Sequence, residues 1–423
     1  MSRSAVTVAL CALCAAGLTA TGQQKPRDGQ QTGTFKSSTS LVEVDIIVKD
    51  KDGRFVAGLT SDDFEVLEAG KPQPIQHFYL VTENPTSSGE VSAQVVLPRS
   101  PDQRERRAFV IVFDSEHLAP TNLGRLKKAA SDFVREHFRP SDLGGVFSNG
   151  GLWHGRMSSD RQEVLAGIRA VTPAFETSAS RIRPLLEFPR IEGEFDAIRI
   201  DAGDQRLLED TAQRNCTDDP DACAREGGAE YVVDKVQQKA RQFIEDSRRA
   251  TSSTIDALGY IASNLARLEG RKTMLLLSEG FFVDDVRGRL PQVAGQASRA
   301  GITIYTLNVR GTDGAGGRMF ADASLPGTGF SLRADTSEEG LDVLSAETGG
   351  ISFRHTDNFS FALSSVASDT STYYVLAYSP ENTTLDGKFR RIELKTKWKG
   401  LTVRARRGYV ASPLPPPKPI RTK

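Results

Sequence analysis

The chain has 423 residues with 54 basic and 54 acidic side chains, so its formal net charge is zero. Without a net charge there is no global field to attract nucleic acid or an anionic membrane surface, which disfavours both partner classes. The length allows about two or three domains. A hydrophobic share of 38% is typical of a globular protein with a buried core.

The first 22 residues have the pattern of an export signal. Arg3 supplies one positive charge, residues 5–18 form an uncharged apolar run, and small residues lead up to an expected cleavage before Gln23. A lipoprotein signal is the alternative because Cys11 and Cys14 lie in this run, but leucine precedes each of them where a small residue is expected. No later segment has the ~18 uncharged apolar residues of a membrane helix. The sequence therefore predicts a secreted or periplasmic protein with no transmembrane helix after signal cleavage.

A small β unit is predicted for residues 41–81, after a polar linker at residues 23–40. Residues 41–48 alternate between apolar and polar side chains, as in a half-buried strand, and a glycine-containing turn follows them. Short strands are predicted near residues 64–67 and 75–81. Residues 82–106 are rich in Ser, Pro, Gly and charge, which indicates a second linker.

An α/β domain is predicted for residues 107–370. Residues 109–113 are consecutively apolar and end at Asp114, which is the pattern of a strand covered on both faces of a parallel sheet. Residues 274–277 and 301–307 repeat the pattern, and helical periodicity separates the three segments. The predicted fold class is α/β, with a doubly wound, mostly parallel, Rossmann-like sheet that would bind ligands at the carboxyl ends of its strands.

Residues 172–270 depart from the strand and helix alternation, and we interpret them as a helical insertion. The segment is mostly charged, compatible with helix, and far longer than a usual connection. It also contains Cys216 and Cys223, the cysteines that remain in the mature chain. An exported protein can oxidise such a pair, and the disulfide would pin a local turn. A zinc site is the alternative, although no CxxC pair or nearby histidine supports it.

The C-terminal part is predicted to return to β structure at residues 371–411. Three strands near residues 373–378, 390–395 and 401–405 are expected, joined by turns. They are too few to bury a core alone, so we expect them to pack with the N-terminal unit as one module that flanks the α/β domain. Residues 412–423 form a proline-rich tail that we expect to be disordered.

Several segments together resemble the von Willebrand factor type A (VWFA) domain. They are residues 109–114 with the following helix, 271–281, 344–350 and 373–380. The flanking segments resemble those of exported VWFA-related proteins of acidobacteria, and the likeness extends over roughly residues 41–411. The resemblance implies a non-enzymatic, adhesion-type module that binds an unknown protein or cell-envelope ligand at the carboxyl rim of the sheet.

The resemblance also implies a metal site, from which this sequence departs. The family pattern places Asp-x-Ser-x-Ser after the first strand, and here Asp114 is followed by Glu116 and Leu118. Ser158 is the candidate for the threonine of the pattern, and Glu279 stands in place of its last aspartate. We therefore expect a degenerate site for Mg²⁺ or another divalent cation. The alternative is that Asp114 caps loop amides or the following helix and that both glutamates are solvated.

Two enzymatic interpretations remain open beside the binding module. Ser278 follows a buried strand as in the nucleophile elbow of α/β-hydrolases, but Leu276 occupies the position that requires glycine. Asp114 could be a phosphatase nucleophile, although Glu116 replaces the usual second aspartate. No histidine forms part of a recognisable catalytic motif with an acidic residue. A structural envelope scaffold without metal is the third alternative.

Overall fold

The computed structural model describes residues 41–82, 107–173, 186–268, 270–281, 288–309, 330–354 and 356–415, with residues 330–338 described for the backbone only. The predicted signal peptide at residues 1–22 and the linker at 23–40 lie outside these ranges. So do nearly all of the linker at residues 82–106 and the last eight residues of the tail. In the described part, no helix is both long and apolar enough to cross a membrane.

A six-stranded, mostly parallel sheet forms the centre of the protein. Its strands are β5 (Ala108–Phe113), β6 (Leu143–Ser148), β7 (Gly151–Leu152), β8 (Lys272–Ser278), β9 (Ile302–Asn308) and β10 (Ser352–Phe353). The order across the sheet is β10-β9-β8-β5-β6-β7, and β7 alone runs antiparallel to its neighbour. Every residue of β5, β8 and β9 is buried. The mixed α/β class and the mostly parallel sheet predicted from the sequence are confirmed.

The strand order reverses between β5 and β8. The chain enters the sheet at β5, places β6 on one side of it, and then returns to the other side to add β8, β9 and β10. In doubly wound sheets this reversal leaves a crevice at the carboxyl ends of the two diverging strands. Phe113 of β5 is paired with Leu277 of β8, so Asp114 and Ser278 lie side by side at that point.

Helices cover both faces of the central sheet and also form a separate helical unit. They are α1 (Pro120–His137), α2 (Arg161–Ala170), α3 (Glu194–Asp201), α4 (Gln205–Asp218), α5 (Pro220–Arg225), α6 (Ala229–Leu265), α7 (Leu290–Arg299), α8 (Phe330–Thr348) and α9 (Phe359–Ser371). Successive strand residues point to opposite faces. Accordingly, Phe109 and Ile111 pack with α1, α2 and α9, whereas Val110 and Val112 pack with α6, α7 and α8.

The helices α3, α4, α5 and the first half of α6 form a separate apolar cluster. Ile200, Leu208, Val236 and Phe243 are among its buried members. A disulfide between Cys216 and Cys223 joins α4 to α5, with an S–S length of 1.95 Å. The long helix α6 continues from this cluster onto the central sheet, where Leu258 lies in the sheet core. One continuous helix therefore connects the helical unit to the α/β core.

The strands from the two chain regions flanking the α/β part intermix in two four-stranded sheets. These strands are β1 (Val42–Lys49), β2 (Phe64–Glu68), β3 (Lys71–Gln73), β4 (Ile75–Thr82), β11 (Thr372–Tyr378), β12 (Phe389–Thr396), β13 (Thr402–Arg404) and β14 (Gly408–Val410). The sheet orders are β13-β1-β11-β4 and β14-β12-β2-β3. The C-terminal strands do not pair as successive hairpins, because β1 lies between β13 and β11, and β12 pairs with β2 in the other sheet.

Two buried arginines form ion pairs at the amino edge of the central sheet. The Arg107 guanidinium donates to both oxygens of Asp142, over 3.0 and 2.6 Å, and the Asp142 side chain is fully buried. Arg271, which precedes β8, lies 3.3 Å from the Asp45 carboxylate of β1 and 3.8 Å from the centre of the Tyr373 ring of β11. Burial would lower the pKa of Arg271, but Asp45 and the tyrosines raise it above its ordinary value. The contacts of Arg271 fasten the flanking strands β1 and β11 to the α/β core.

The end of α8 approaches β9 closely. The Thr348 hydroxyl accepts a hydrogen bond from the Ile304 backbone N–H at 2.9 Å. A Cβ atom added to Gly350 would lie 1.8 Å from the Ile304 carbonyl oxygen. Only a residue without a side chain fits at that contact.

Candidate functional site

The candidate site lies at the carboxyl ends of β5 and β8, where the strand order reverses. The backbone N–H of Asp114 donates to the Leu277 carbonyl at 3.0 Å, which holds the two strand ends together. The chain then turns, and the His117 backbone N–H donates back to the Asp114 carbonyl at 2.9 Å. Both residues are buried.

The Asp114 carboxylate is surrounded by donors from three parts of the chain. Ser278 Oγ donates to it at 2.7 Å, and Thr254 Oγ1 of α6 donates at 2.8 Å. His117 Nδ1 lies 3.0 and 3.1 Å from its two oxygens. A buried carboxylate requires such compensation, because leaving its charge without partners would be costly. We call Asp114, His117, Thr251, Thr254 and Ser278 the Asp114 cluster.

Burial alone would raise the pKa of the Asp114 carboxyl, because a desolvated charge is disfavoured. The neighbouring His117 and the hydroxyl donors of Ser278 and Thr254 outweigh this effect and hold the pKa below its ordinary value. The carboxylate form is therefore favoured in the folded protein.

The His117 ring is enclosed on its other sides. Its Nε2 lies 3.4 Å from Thr251 Oγ1, and its Nδ1 lies 3.2 Å from Thr254 Oγ1. The Phe281 ring packs against it at a centroid distance of 5.5 Å. His117 is only 1% exposed. The imidazole thus contacts the strand end, the turn after β8 and the helix α6.

Glu279 has a structural contact at the same edge. Its Oε1 accepts hydrogen bonds from the Ala119 backbone N–H at 2.7 Å and from Asn122 Nδ2 at 3.0 Å. Ala119 precedes α1 and has no capping side chain of its own, so Glu279 caps this helix from a neighbouring loop. The expectation that Glu279 is either a metal ligand or a solvated residue did not anticipate this contact.

Ser158 lies away from the other residues proposed for the metal site. Asn149 and Gly150 have positive φ angles of 48° and 74°, so the chain reverses after β6 and runs back along it. Ser158 is hydrogen-bonded to Gly144, near the amino end of β6, and its hydroxyl donates to Glu163 at 2.6 Å. The structure therefore does not bring Ser158 to Asp114, contrary to the sequence-based expectation.

The residues at this edge do not fit a divalent cation. Both oxygens of Asp114 already accept hydrogen bonds, and Glu279 is engaged at α1. Glu116 is partly exposed on the turn, and Leu118 is a buried apolar residue. Among the described residues, no group of three or more His, Cys, Asp or Glu side chains could hold a metal ion. A hard cation needs six or more oxygen ligands, counting water.

The geometry also differs from that of a serine hydrolase. Ser278 is fully buried, and its hydroxyl donates to Asp114. In a catalytic triad the serine contacts the histidine, which in turn contacts the acid. Here His117 and Ser278 both contact Asp114, so the carboxylate accepts from both.

Sequence reasoning missed the contribution of α6 to the site. Thr251 and Thr254 lie about 140 residues from Asp114 and His117 in the chain, and no motif marks them. Their one sequence signal is spacing: three residues apart on a helix, both face the same side. For His117, the sequence gives no recognisable acid partner.

The fold and the site define the class of protein as an α/β protein with an open, mostly parallel sheet and an internally bonded polar cluster at its switch point. No family model and no curated protein matches this chain. Among solved structures, it is similar to an aerotolerance-related membrane protein from Bacteroides fragilis at 12% identity, over 62% of this chain and 98% of that chain, with a TM-score of 0.32. It is also similar to a conserved hypothetical protein, BatB, from Bacteroides thetaiotaomicron at 12% identity, over 63% of this chain and 98% of that chain, with a TM-score of 0.33. A likeness this loose carries no functional inference.

The Asp114→Asn variant is expected to unfold with a free energy lower by about 2 kcal/mol near neutral pH, because charge-assisted hydrogen bonds are lost. A carboxyl whose pKa is lowered by folding contributes stability above its unfolded pKa of about 4 and loses it as the pH falls through the folded value. The difference between wild type and variant should therefore shrink below about pH 4. Denaturant unfolding between pH 7 and pH 3 measures it, and a difference that grows on acidification would contradict the assignment.

Proposed function

We propose that this chain is an exported, non-enzymatic protein-binding module of the VWFA kind, and that its partner surface is the carboxyl rim of the central sheet. The observation that carries this proposal is the Asp114 cluster at the switch point, where the polar side chains that could perform chemistry are buried and bonded to one another. Open α/β sheets bind their ligands at this position. Because the polar side chains of the Asp114 cluster are already bonded to one another, we expect a partner to contact the surface loops above the cluster.

Exposed polar residues lie beside the closed cluster. Thr121 is exposed at the start of α1, and Asn149 is exposed after β6, where its backbone N–H donates to Ser115 Oγ at 3.1 Å. The returning hairpin also exposes His154 and Arg156. His154 stacks on the Trp153 ring at a centroid distance of 4.4 Å. Such a surface is suited to contact a folded protein or an envelope component, since it offers exposed polar side chains.

Export is supported by the N-terminal sequence and by the disulfide. Residues 1–22 have the pattern of a signal peptide. The Cys216–Cys223 bond is of a kind that persists in oxidising compartments. Both features fit a protein that acts in the periplasm or outside the cell.

Binding at the rim is tested with a matched pair of substitutions. Thr121→Arg changes the rim, and Thr402→Arg makes the same change at an exposed position of β13. The immobilised mature proteins are incubated with cell-envelope extract of the producing organism, and the retained proteins are quantified. We expect a protein that wild type and Thr402→Arg retain equally and that Thr121→Arg retains at least tenfold less, as for loss of a central interface contact. Equal retention by all three proteins would contradict rim binding.

The absence of catalysis is tested separately with a fluorophosphonate probe, which labels activated serines. We expect no labelling of the mature protein, because Ser278 is buried and donates to a carboxylate. Labelling that disappears in Ser278→Ala would favour the hydrolase alternative.

A further inference from the structure

The long helix α6 crosses from the helical unit to the sheet through a polar zone. Phe243 packs within the helical unit, and Leu258 packs in the sheet core. Between them lie the hydroxyls of Ser247, Thr251 and Thr254, all on buried residues. The 4- and 3-residue spacings place these hydroxyls on one side of the helix.

The hydroxyls of this zone make contacts in two directions. Ser247 donates to Glu194 of α3, within the helical unit. Thr254 donates to Asp114, and Thr251 lies beside His117, both at the carboxyl end of the sheet. The Asp114 cluster therefore provides a polar contact between α6 and the sheet edge, next to the apolar contacts of residues 255–265.

His117 occupies the position in this cluster at which a ligand of Asp114 would have to lie. Its Nδ1 is within 3.0 to 3.2 Å of both carboxylate oxygens and of Thr254 Oγ1. An atom at the centre of these three oxygens would overlap the ring. The sequence resemblance implies a cation here, and the side chains present satisfy the carboxylate without one.

We propose that His117 replaces the cation at this site and that the Asp114–His117 pair serves as a latch, which holds the long helix α6 against the carboxyl edge of the sheet through Thr251 and Thr254. The helical unit is then fixed to the α/β core by the protein alone. This inference goes beyond the proposed function, since it concerns the internal connection of the molecule and does not require that the rim bind a partner.

The pairing is tested by a double-mutant cycle on the full mature chain. Asp114→Asn, His117→Gln and the double variant are compared with wild type by denaturant unfolding. We expect each single change to lower the folded-to-unfolded ratio about tenfold or more, and the double variant to lose about tenfold less than the product of the single losses. Additive losses would overturn the proposal, because they would show that the two side chains do not act on each other.

The effect on α6 is tested by amide hydrogen exchange with two Thr→Val variants. Thr254→Val removes the hydroxyl that donates to Asp114, and Thr217→Val removes an exposed hydroxyl on α4 as the control. We expect the amides of residues 251–258 to exchange about tenfold faster in Thr254→Val and at the wild-type rate in Thr217→Val. Equal exchange rates in both variants would overturn the proposal that this contact holds α6 against the sheet. This measurement also decides the question if Asp114→Asn fails to fold.

The replacement of the cation is tested with Mg²⁺, Mn²⁺ and Ca²⁺ at millimolar concentration. The measured quantity is the shift in melting temperature that the cation causes in each protein. The shift of wild type is compared separately with that of His117→Gln and with that of Asp114→Asn. A bound cation raises the melting temperature of the folded state. We expect no difference between wild type and Asp114→Asn. A shift in wild type that Asp114→Asn abolishes would overturn the proposal, whatever the outcome of the rim-binding experiment.

Discussion

Replacing Gly350 with alanine is expected to lower the free energy of unfolding by about 3 kcal/mol or more, at the upper end of overpacking effects. The added Cβ would lie 1.8 Å from the Ile304 carbonyl oxygen and 2.7 Å from its carbonyl carbon. Both are backbone atoms of a buried central strand, so they cannot rotate away as a side chain would. Either α8 shifts away from β9 or the strand distorts. Denaturant unfolding monitored by circular dichroism measures the loss.

Gly124→Ala is the matched control for this substitution. Gly124 lies on the exposed side of α1, and an added Cβ would meet nothing within 4 Å. Alanine is favoured over glycine within helices by about 0.5–1 kcal/mol, so this variant should be as stable as wild type or slightly more stable. Similar stabilities for the two variants would contradict the close contact between Gly350 and the Ile304 carbonyl of β9.

The Asp142→Ala variant is expected to be destabilised by about 3–5 kcal/mol, because it leaves the buried Arg107 guanidinium without its carboxylate. In the native protein this carboxylate accepts from Arg107 through both oxygens and also from the Arg139 backbone N–H at 2.8 Å. Arg107 precedes β5 and Asp142 precedes β6, so the loss would weaken the amino edge of the two strands. Thermal and denaturant unfolding measure it.

The exposed pair of Arg125 and Asp357 provides the comparison. Its nitrogen–oxygen distance is 2.7 Å, close to that of the buried pair, but both side chains are about half exposed. Surface ion pairs contribute less than about 1 kcal/mol, so Asp357→Ala should have a small effect. If the two alanine variants lose similar stability, burial does not determine the strength of the Arg107–Asp142 pair.

The central sheet could be predicted because each buried strand is visible in the sequence by itself. Residues 109–113 and 274–277 are continuous apolar runs, as expected of a strand with both faces covered, and residues 301–307 are rich in the β-branched and aromatic side chains that strands favour. In the structure β5, β8 and β9 are adjacent and wholly buried. That these strands are adjacent follows from the apolar pattern of each segment and from the connection rules of parallel sheets.

The site could be predicted only where it depends on strand ends. Asp114 follows an obvious strand, and Glu279 follows another, so the sequence predicts both at the same edge. The prediction for Ser158 is wrong because the short hairpin at Asn149 returns the chain toward the amino edge, and two residues of β7 are too short a signal to detect. The contact of Thr254 with Asp114 cannot be predicted, because it is a tertiary contact between residues 140 apart in the chain and no local pattern shows where α6 meets the sheet.

The pairing of the flanking strands could not be predicted from turns. Asp386 and Gly387 predict a hairpin between the strands on either side. In the structure the strand before this turn pairs with β1 and β4, and the strand after it pairs with β2 and β14. Alternating strands of similar composition can exchange neighbours, and only the complete set of partners determines which sheet each joins.

The intermixed flanking sheets impose an order on how the molecule is completed during synthesis. The strands β1 to β4 leave the ribosome first, yet their partners β11 to β14 are made last, with about 290 residues between Thr82 and Thr372. Until then these early segments have open edges that could pair with other chains. A nascent or truncated chain should therefore depend on chaperones, whereas in the finished chain residues 42–82 and 372–410 are joined in the same two sheets.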